Sequence, residues 1–329
     1  MASVMDRRVF IGALAGGLLT APLAAGAQTA GRVYRVGLLG LASGSDVPVL
    51  AALPQGLRDL GYEEGKNLVI EYRTAEGKYD RLPGLAMQLV GLKVDVLVTY
   101  GTPGALAAKQ ATTTIPVVVA IIGDAVAAGV VPSLARPGGN ITGSQYQSLE
   151  VMGKRIEMLK EATSHLARIA ALFNPANLSI RPGLKTMEET ARYLKVELQQ
   201  IEVRGPHDFD VAFAAMAERR SQAFILVDDP FLRSHVGTIA QLAAKRRLPS
   251  VGDREYAQAG GLLGYAVNRP EVFRRAAVFI DKILRGAKPG DLPFEQVDRF
   301  ELVINLKTAK ALGLTIPPSL LQRADEVIE

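Results

Sequence analysis

The 329-residue sequence contains no cysteine and no tryptophan, and it has only three histidines. The absence of cysteine excludes disulfides, thiol nucleophiles, thiolate metal sites and a lipid-modified amino-terminal cysteine. His165, His207 and His235 are predicted at a helix end, in a loop and at a helix start, and no two of them have the spacing of metal ligands. We therefore expect no metal site and no histidine-based catalysis.

Motifs for nucleophilic and cofactor chemistry are missing as well. No Gly-x-Ser-x-Gly segment is present to place a serine on a sharp turn. The segment VGLLGLASG lacks the glycine spacing of a dinucleotide-binding turn, and GYEEGK lacks the spacing of a phosphate loop. The pair Asp228–Asp229 suggests a metal site, but adjacent strand residues point apart, so we expect one inward side chain and one helix cap. The sequence predicts a protein without a cofactor that is not an enzyme.

One apolar run near the amino terminus has the form of an export signal. The segment MDRRVFIGALAGGLLTAPLAAGAQ starts at Met5 and contains the pair Arg7–Arg8, a stretch rich in Ala and Gly, and small residues at 25–27 that suit signal-peptidase cleavage. Its glycines and Pro22 argue against a permanent membrane anchor, since a span needs about 20 strongly apolar residues. We predict an export signal at residues 1–27 and a periplasmic protein that is soluble after cleavage.

The export signal and the charge pattern both argue against a nucleic-acid partner. The order Asp6-Arg7-Arg8-Val9-Phe10 resembles a twin-arginine signal. A general secretory signal that happens to hold two arginines is the alternative, and either route leads out of the cytoplasm. The net charge of +5 comes from scattered basic residues such as Arg246–Arg247 and Arg274–Arg275, which are typical of solvated helix faces.

The rest of the chain contains a weak internal repeat. Each copy predicts strand, helix, strand, helix, strand, helix and strand in that order. The first copy begins at RVYRVGLLGLA (32–42) and ends at IPVVVAIIGD (115–124), and the second begins at LARIAALFNPAN (166–177) and ends at LPSVGD (248–253). Apolar strands such as DVLVTY and AFILVD suit parallel sheets that are covered on both faces. Chance similarity between two ordinary α/β halves is the alternative explanation.

Alternating strands and helices predict an α/β fold with right-handed crossovers. We expect two Rossmann-like lobes with parallel sheets, joined by a multi-strand hinge that the chain crosses near Gly139–Ser148, Asp253–Gly260 and Pro289–Asp298. The strand in GGLLGYAVN, the amphipathic helix in RPEVFRRAAVFIDKILRG and the strand in RFELVINL would carry the chain between the lobes. The predicted domains are the export signal at 1–27, an N-terminal lobe of 32–143 plus 261–290, and a C-terminal lobe of 144–260 plus 291–329.

Ligands in open α/β sheets bind beyond the carboxyl ends of the strands. The predicted loops at those ends are small and polar, and the helix starts among them offer backbone N–H groups to an anion. We expect a ligand carboxylate near Ser43 or Thr102, and a ligand ammonium near Asp124, Asp229 or Asp253. The candidate ligand-binding residues are Ser43, Gly44, Thr102, Pro103, Asp124, Tyr146, Asn174, Asp229 and Asp253.

Each of these candidates also has a purely structural explanation. Thr102–Pro103 and Asp229–Pro230 could be helix starts only, with the first residue as N-cap and the proline at the first helical position. Asp124 and Asp253 could be solvated turn residues. Tyr146, in the predicted hinge, could serve packing rather than stack on a ligand.

Two motifs carry a resemblance to a known family. The segments SLARPGGNITG (133–143) and NLKTAKALGLTIP (305–317) closely resemble exported substrate-binding proteins of ABC transporters, a family that includes tryptophan and tyrosine binders. The resemblance covers essentially the whole chain. It implies a type I periplasmic-binding-protein fold, ligand capture by closure of two lobes, and delivery to an inner-membrane permease. Members that bind aromatic amino acids do so in the interlobe cleft, which matches the loops here around Ser43, Thr102, Asp124, Asn174 and Asp229.

We predict capture of a small amino-acid-like or carboxylated ligand without chemistry, followed by delivery to an ABC permease. The lack of tryptophan, and Phe173 where other members carry tryptophan before Asn-Pro, leave the ligand open. A ligand-sensing periplasmic subunit that docks on a membrane sensor is the main alternative, because sensing requires the same closure. An exported α/β enzyme is the second alternative. We expect a monomer whose partners are the small-molecule ligand and the permease.

Overall fold

The computed structural model describes residues 32–41, 47–146, 148–163, 165–177 and 180–329. The predicted export signal at 1–27 lies outside these ranges, as do the candidate residues Ser43 and Gly44. Within the described part of the chain, no helix combines the length and the apolar character that crossing a membrane requires.

Two sheets are formed by the thirteen strands of the described residues. The first sheet has the order β11-β5-β4-β3-β1-β2 and is parallel, and the second has the order β13-β12-β10-β9-β8-β6-β7 and is parallel except for the pair β10–β12. This confirms the predicted α/β fold. The strands are β1 Tyr34–Gly40, β2 Leu68–Thr74, β3 Val96–Thr99, β4 Val117–Ile122, β5 Ile141–Tyr146, β6 Arg168–Phe173, β7 Glu197–Glu202, β8 Ala223–Leu226, β9 Ser250–Gly252, β10 Leu263–Val267, β11 Glu295–Val297, β12 Phe300–Asn305 and β13 Glu326–Ile328.

Helices connect most of the parallel strands, as crossovers between parallel strands require. We call the first sheet with the helices packed on it the first lobe, and the second sheet with its helices the second lobe. Short 3₁₀ turns lie at Tyr79–Arg81 and Pro289–Asp291. The helices are α1 Val47–Leu50, α2 Ala52–Asp59, α3 Leu82–Gly91, α4 Gly101–Ala111, α5 Ser148–Ala162, α6 Arg181–Tyr193, α7 Asp208–Glu218, α8 Pro230–Arg233, α9 Val236–Lys245, α10 Arg254–Gln258, α11 Arg269–Leu284, α12 Leu306–Leu312 and α13 Pro318–Leu321.

The first four strands of the two halves have the same order, as the internal repeat predicts. In the first sheet β1 lies between β2 and β3, with β4 beyond β3, and in the second sheet β6 lies between β7 and β8, with β9 beyond β8. The first four strands of each half therefore occupy equivalent positions. This order is common among doubly wound α/β sheets, so it agrees both with a repeated unit and with two ordinary α/β halves.

Each sheet is buried on both faces, which explains its continuous apolar strands. In β6, Ile169 and Ala171 belong to one apolar core, whereas Ala170 and Leu172 belong to a second core on the opposite face. Every residue of β3, β4 and β8 is buried. Because alternate side chains of a strand point to opposite faces, a strand covered by helices on both sides requires apolar residues at every position.

In the described residues the chain passes between the lobes at three places. The first crossing joins β5 to α5, and the third joins β11 to β12, at or beside the predicted positions. The second crossing was expected near 253–260 but lies at Val267–Arg269, because β10 pairs with β9 and β12 and keeps the chain in the second sheet. The predicted ranges assign β10 to the N-terminal lobe, but it lies in the second sheet. They assign β11 to the C-terminal lobe, but it lies in the first sheet. The lobe boundaries themselves stay a prediction, since Tyr34–Glu329 form one compact unit.

Candidate functional site

A cavity of about 410 Å³ lies between the lobes, at the carboxyl ends of their strands. The first lobe contributes the loops after β3 and β4, and the second lobe contributes the loops after β6 and β8. Parallel α/β sheets bind ligands at this position. The apolar lining includes Leu106, Ile121, Ile122, Met152, Ile180 and Val227, and the polar and charged lining includes Tyr100, Thr102, Asp124, Tyr146, Asn177, Asp228, Asp229, Arg233 and Arg269.

Asp229 caps a helix and also connects the two lobes. Its Oδ1 accepts a hydrogen bond from the backbone N–H of Leu232 at 3.1 Å, and a proline follows it, which confirms the predicted N-cap of α8. Its Oδ2 accepts from the Tyr79 hydroxyl of the first lobe at 2.7 Å and from Asn177 Nδ2 at 3.0 Å. Asn174 Nδ2 donates to Oδ1 at 3.5 Å. Four neutral donors thus occupy the acceptor positions of this carboxylate, and burial raises its pKa.

Asp228 is held by other partners than Asp229, and both line the cavity because β8 ends at Leu226 and strand alternation does not extend to them. Its Oδ1 accepts from Arg155 Nη2 at 2.9 Å, and its Oδ2 accepts from the Tyr146 hydroxyl at 3.3 Å. Arg155 has no exposed surface and also donates to the backbone oxygens of Leu226 and Tyr265 at 3.1 and 3.0 Å. Burial and the charge of Asp228 raise the pKa of Tyr146. The Tyr146 hydroxyl therefore stays protonated at neutral pH and can donate to Asp228.

Asp253 lies behind the cavity wall, where it holds Arg233. Arg233 Nε donates to Asp253 Oδ2 at 2.7 Å, and Asp253 Oδ1 accepts from the backbone N–H of Tyr256 at 2.9 Å as the cap of α10. The carboxylate is only 3% exposed. Burial acts to raise the pKa of Asp253, but the charge and hydrogen bond of Arg233, together with the charge of Arg269, lower it below its usual value. Asp253 is therefore not a solvated turn residue.

Arg269 brings a second guanidinium to the cavity wall. It is the first residue of α11 and is 5% exposed, with Nη1 at 3.6 Å from Glu255 Oε1 and Cζ at 6.0 Å from the centre of the Phe273 ring. Burial and the nearby charge of Asp253 raise the pKa of Glu255. Because Glu255 and Asp253 both lie behind the arginines, the wall presents guanidinium groups of fixed position.

The structure corrects the predicted helix start at Thr102. Helix α4 begins at Gly101, with Tyr100 at the N-cap position and no side-chain cap. Thr102 and Pro103 therefore lie inside the first turn, and both line the cavity. The predicted N-cap failed because the chain turns one residue earlier, at Gly101, where φ is +69°. Glycine adopts this left-handed conformation at little cost.

Asp124 is an exposed turn residue that also lines the cavity. Its Oδ1 accepts hydrogen bonds from the backbone N–H groups of Val126 at 3.0 Å and Ala127 at 2.9 Å. The next residue, Ala125, donates its N–H to the side chain of Gln145 at 3.0 Å. The carboxylate thus shapes the loop after β4, as the structural explanation expected, while it remains at the cavity surface.

The structure brings most of the predicted site residues together. The predicted residues that line the cavity are Thr102, Pro103, Asp124, Tyr146 and Asp229. Asn174 and Asp253 contact lining residues instead, and no observation tests ligand contact for any of them. The sequence interpretation missed Arg233 and Arg269. Arg233 follows the Asp229 cap by one helical turn, and that spacing is the only local signal that could have placed it in the cavity.

Comparison with known proteins identifies a family and close structural relatives. A model of the family of ABC transporter substrate-binding proteins matches residues 48–328. The tyrosine-binding protein of Clostridioides difficile (strain R20291) is 25% identical over 262 residues, which are 79% of this chain and 75% of that protein.

Solved structures show the same architecture over most of the chain. A conserved domain protein from Vibrio cholerae superposes with a TM-score of 0.82 at 29% identity, covering 90% of this chain and 100% of that chain. The ABC domain in complex with L-Trp from Streptococcus pneumonia superposes with a TM-score of 0.83 at 25% identity, with the same coverage. The likeness therefore includes both lobes and the region between them.

Proposed function

Since the chain belongs to the family of ABC transporter substrate-binding proteins, we propose that it captures a small amino-acid-like or carboxylated solute and delivers it to an inner-membrane ABC permease. Its two mostly parallel sheets match the type I periplasmic-binding-protein fold. One observation carries the proposal. The cavity between the lobes combines arginines and aspartates within a largely apolar wall, so it offers complementary contacts to both ends of a zwitterion.

The two arginines suit a ligand carboxylate. Arg233 is the last residue of α8 and Arg269 is the first residue of α11, and each guanidinium is paired with a carboxylate, Asp253 for Arg233 and the partly buried Glu255 for Arg269. Guanidinium groups pair with carboxylates through charge-assisted hydrogen bonds, which are about twice as strong as neutral ones. On the first lobe, Thr102 adds a polar group to the cavity lining, and the sequence interpretation favours Thr102 or Ser43 for the same carboxylate.

Asp228 is the better partner for a ligand ammonium. Its carboxylate receives two hydrogen bonds, from Arg155 and Tyr146, whereas the carboxylate of Asp229 receives four. A carboxylate has about four acceptor positions, so Asp228 keeps capacity for an ammonium donor. Asp253 lies behind Arg233 and cannot serve this role. We therefore place the ammonium contact at Asp228 rather than at Asp229 or Asp253, and Asp124 stays a predicted contact at the cavity surface.

The apolar lining supports a ligand with a large apolar side chain. Residues such as Ile121, Ile122 and Val227 can bury a hydrocarbon or aromatic group, which stabilises binding by about 25 cal/mol per Å² of buried apolar surface. The relatives point to the same class, since one is named a tyrosine-binding protein and another was solved with L-Trp. We propose an L-amino acid with an aromatic or large apolar side chain.

Capture would proceed by closure and would take place outside the cytoplasm. A ligand that contacts both walls of the cavity stabilises the closed arrangement over an open one, and the closed form is then recognised by the permease. The predicted export signal at 1–27 would bring the chain to the periplasm through the twin-arginine route. The exported protein would act as a monomer with the solute and the permease as partners.

Ligand analogues test the proposal directly. A thermal-shift screen of the purified protein against the common L-amino acids and small carboxylates should give a hit, because a ligand at 100 times its Kd stabilises the protein by about 2.7 kcal/mol. For L-tryptophan, calorimetry should show weaker binding of tryptamine, which lacks the carboxylate, and of indole-3-propionate, which lacks the ammonium.

The variant Asp228→Asn then tests the ammonium contact. It should bind L-tryptophan at least about tenfold more weakly, because a hydrogen bond to a charged group contributes roughly 1.5–3 kcal/mol. It should bind indole-3-propionate as the wild type does, which also shows that the variant is folded. An equal loss for both compounds would contradict the role of Asp228, and a screen without any hit would contradict the proposed function.

A further inference from the structure

A segment that follows β2 in the first lobe reaches the second lobe beside the cavity. It is anchored to the end of β1 by backbone hydrogen bonds from Ala75 N to the Gly40 oxygen at 3.0 Å and from Gly77 N to the Leu41 oxygen at 2.7 Å. Gly77 has a φ of +78°, and a Cβ there would lie 3.2 Å from Cδ2 of Phe231 in the second lobe. The backbone of the first lobe therefore passes close to Phe231 of the second lobe, with no room for a larger side chain at this glycine.

Two residues later the same segment makes polar contacts across the cleft. The Tyr79 hydroxyl donates to Asp229 Oδ2 at 2.7 Å and accepts from the backbone N–H of Phe231 at 3.4 Å. Burial and the charge of Asp229 raise the pKa of Tyr79, so the hydroxyl remains a donor at neutral pH. Tyr79 thus uses both the donor and the acceptor capacity of its hydroxyl on the opposite lobe.

The surface that receives Tyr79 is rigid. Phe231 stacks on Phe209 with ring centres 6.0 Å apart and planes 4° from parallel, and its carbonyl oxygen accepts from the Ser234 hydroxyl at 2.7 Å. Asp229 is fixed by its role as the cap of α8. Since contacts within the second lobe hold both partners in place, we infer that the hydrogen bond forms or breaks with the relative position of the lobes.

We propose that Tyr79 is a latch that stabilises the closed arrangement through Asp229 and slows release of the solute without touching it. Asp229 lines the cavity, whereas Tyr79 is not among the described residues that line it. The latch rests on the proposed function, because it acts on the closure that follows solute capture. Tyr79 is therefore a positioning residue rather than a ligand-binding residue.

A latch of this kind has a consequence that a ligand contact lacks. The latch changes the equilibrium between open and closed lobes. Its removal therefore lowers the affinity for every ligand by the same factor. The loss falls on the dissociation rate, because the open form that first meets the solute lacks the latch. Unliganded protein with open lobes does not form the bond, so its thermal stability does not depend on it.

The variant Tyr79→Phe, compared with Tyr62→Phe, tests the latch. Tyr62 is the matched control, because its hydroxyl donates to Asp281 at 2.9 Å within the first lobe. Stopped-flow and calorimetry with L-tryptophan and L-tyrosine as probes should show dissociation about tenfold faster in Tyr79→Phe for both amino acids, with little change in association rate. The melting temperature of unliganded Tyr79→Phe should equal that of the wild type. Tyr62→Phe should instead melt at a lower temperature and bind normally.

The outcomes separate the latch from the function on which it rests. Wild-type binding with unchanged dissociation in Tyr79→Phe would overturn the latch and leave the proposed function standing. The latch would also be overturned if Tyr79→Phe increased the dissociation rate by different factors for the two amino acids, because unequal factors would show that Tyr79 contacts the ligand directly. If the wild type bound neither amino acid nor any compound of the screen, the proposed function would fall and the latch with it.

Discussion

At the level of single residues, three aspartates at one end of the second lobe differ in what holds them. Asp253 forms an ion pair with Arg233, and Asp228 forms one with the buried Arg155. Asp229 instead accepts hydrogen bonds from neutral donors of both lobes. A carboxylate locked into a buried ion pair serves as support, whereas one with acceptor capacity at the cavity surface can meet a ligand. The partners of a side chain, more than its type, therefore decide its role here.

The ion pair between Arg233 and Asp253 should make stability depend on pH. The pKa of Asp253 lies below the value of about 3.9 expected for an unfolded chain, so folding favours the ionised carboxylate. Its contribution is present above about pH 4 and is lost as the pH falls through the folded-state pKa. Asp253→Asn should lower the free energy of unfolding at pH 7 by about 3–5 kcal/mol, because Arg233 loses its buried partner. Urea denaturation should show this difference shrinking below about pH 4.

An exposed ion pair is the control for this experiment. Asp59 pairs with Arg274 at 2.6 Å, but the two side chains are 39% and 62% exposed. Asp59→Asn should change the free energy of unfolding by less than about 1 kcal/mol, because solvent screens exposed pairs. If the difference between wild type and Asp253→Asn stayed constant from pH 7 to pH 3, Asp253 would not be the titrating group.

Roles that depend on neighbouring residues in the sequence were predicted well. Contacts between residues far apart in the sequence were not predicted. Asp229 was identified as an N-cap because Asp followed by Pro is a signal within two residues. Arg233 and Asp253 are 20 residues apart, and only the packing of two loops brings them together. Arg155 lies in a helix with the charge pattern of a solvated face, yet it is wholly buried by contacts from β8 and β10. No periodicity within α5 reveals those contacts.

At the level of elements, the first lobe depends on a close contact between α2 and α11. Gly56 faces α11, and a Cβ at this position would lie 2.6 Å from the backbone oxygen of Arg274 and 3.0 Å from Cβ of Ala277. The two helices approach closely because this position carries no side chain. Helix α11 also begins with Arg269 in the cavity wall, so the contact helps to fix one end of the candidate site.

Two glycine-to-alanine variants should therefore change stability in opposite directions. Gly56→Ala should destabilise the protein by roughly 1–3 kcal/mol, as overpacking of a close contact does. Gly84→Ala, in the exposed part of α3 with no atom near the new methyl group, should stabilise it by up to about 1 kcal/mol through helix propensity. Thermal and urea denaturation measure both. Stabilisation by Gly56→Ala would show that the helices can separate without penalty.

Helices and strands with a clear local sequence pattern were predicted correctly. Features that depend on which strands pair with each other were predicted less well. The strands at Leu68–Thr74 and Phe300–Asn305 follow directly from β-branched and apolar runs. The start of α4 was placed two residues too late because the chain turns at Gly101, where φ is positive, rather than at Thr102. The second crossing was misplaced because β10 pairs antiparallel with β12, and antiparallel pairing with a later strand leaves no trace in β10 itself.

At the level of the whole molecule, the repeat explains where the cavity lies. Each lobe ends its parallel strands in short polar loops, and the two sets of loops face each other across the cleft. The crossings between the lobes, among them Val267–Arg269, lie beside the cavity, so a rotation there widens the cleft without disturbing either sheet. A few element-terminal residues that absorb the change are sufficient for such a hinge. The proposed closure would therefore couple solute binding to the position of the lobes.

Solute binding should consequently make the whole molecule more compact. A closed chain of roughly 300 residues has an expected radius of gyration of about 19 Å, and separation of the lobes increases it. Small-angle X-ray scattering during a titration with a ligand from the screen should show the radius decreasing toward that value. Tyr79→Phe should need about ten times more ligand to reach the same end point, whereas Tyr62→Phe should follow the wild type. A radius that is equal in the unliganded and saturated protein would contradict capture by closure, because ligand contacts alone leave the distance between the lobes unchanged.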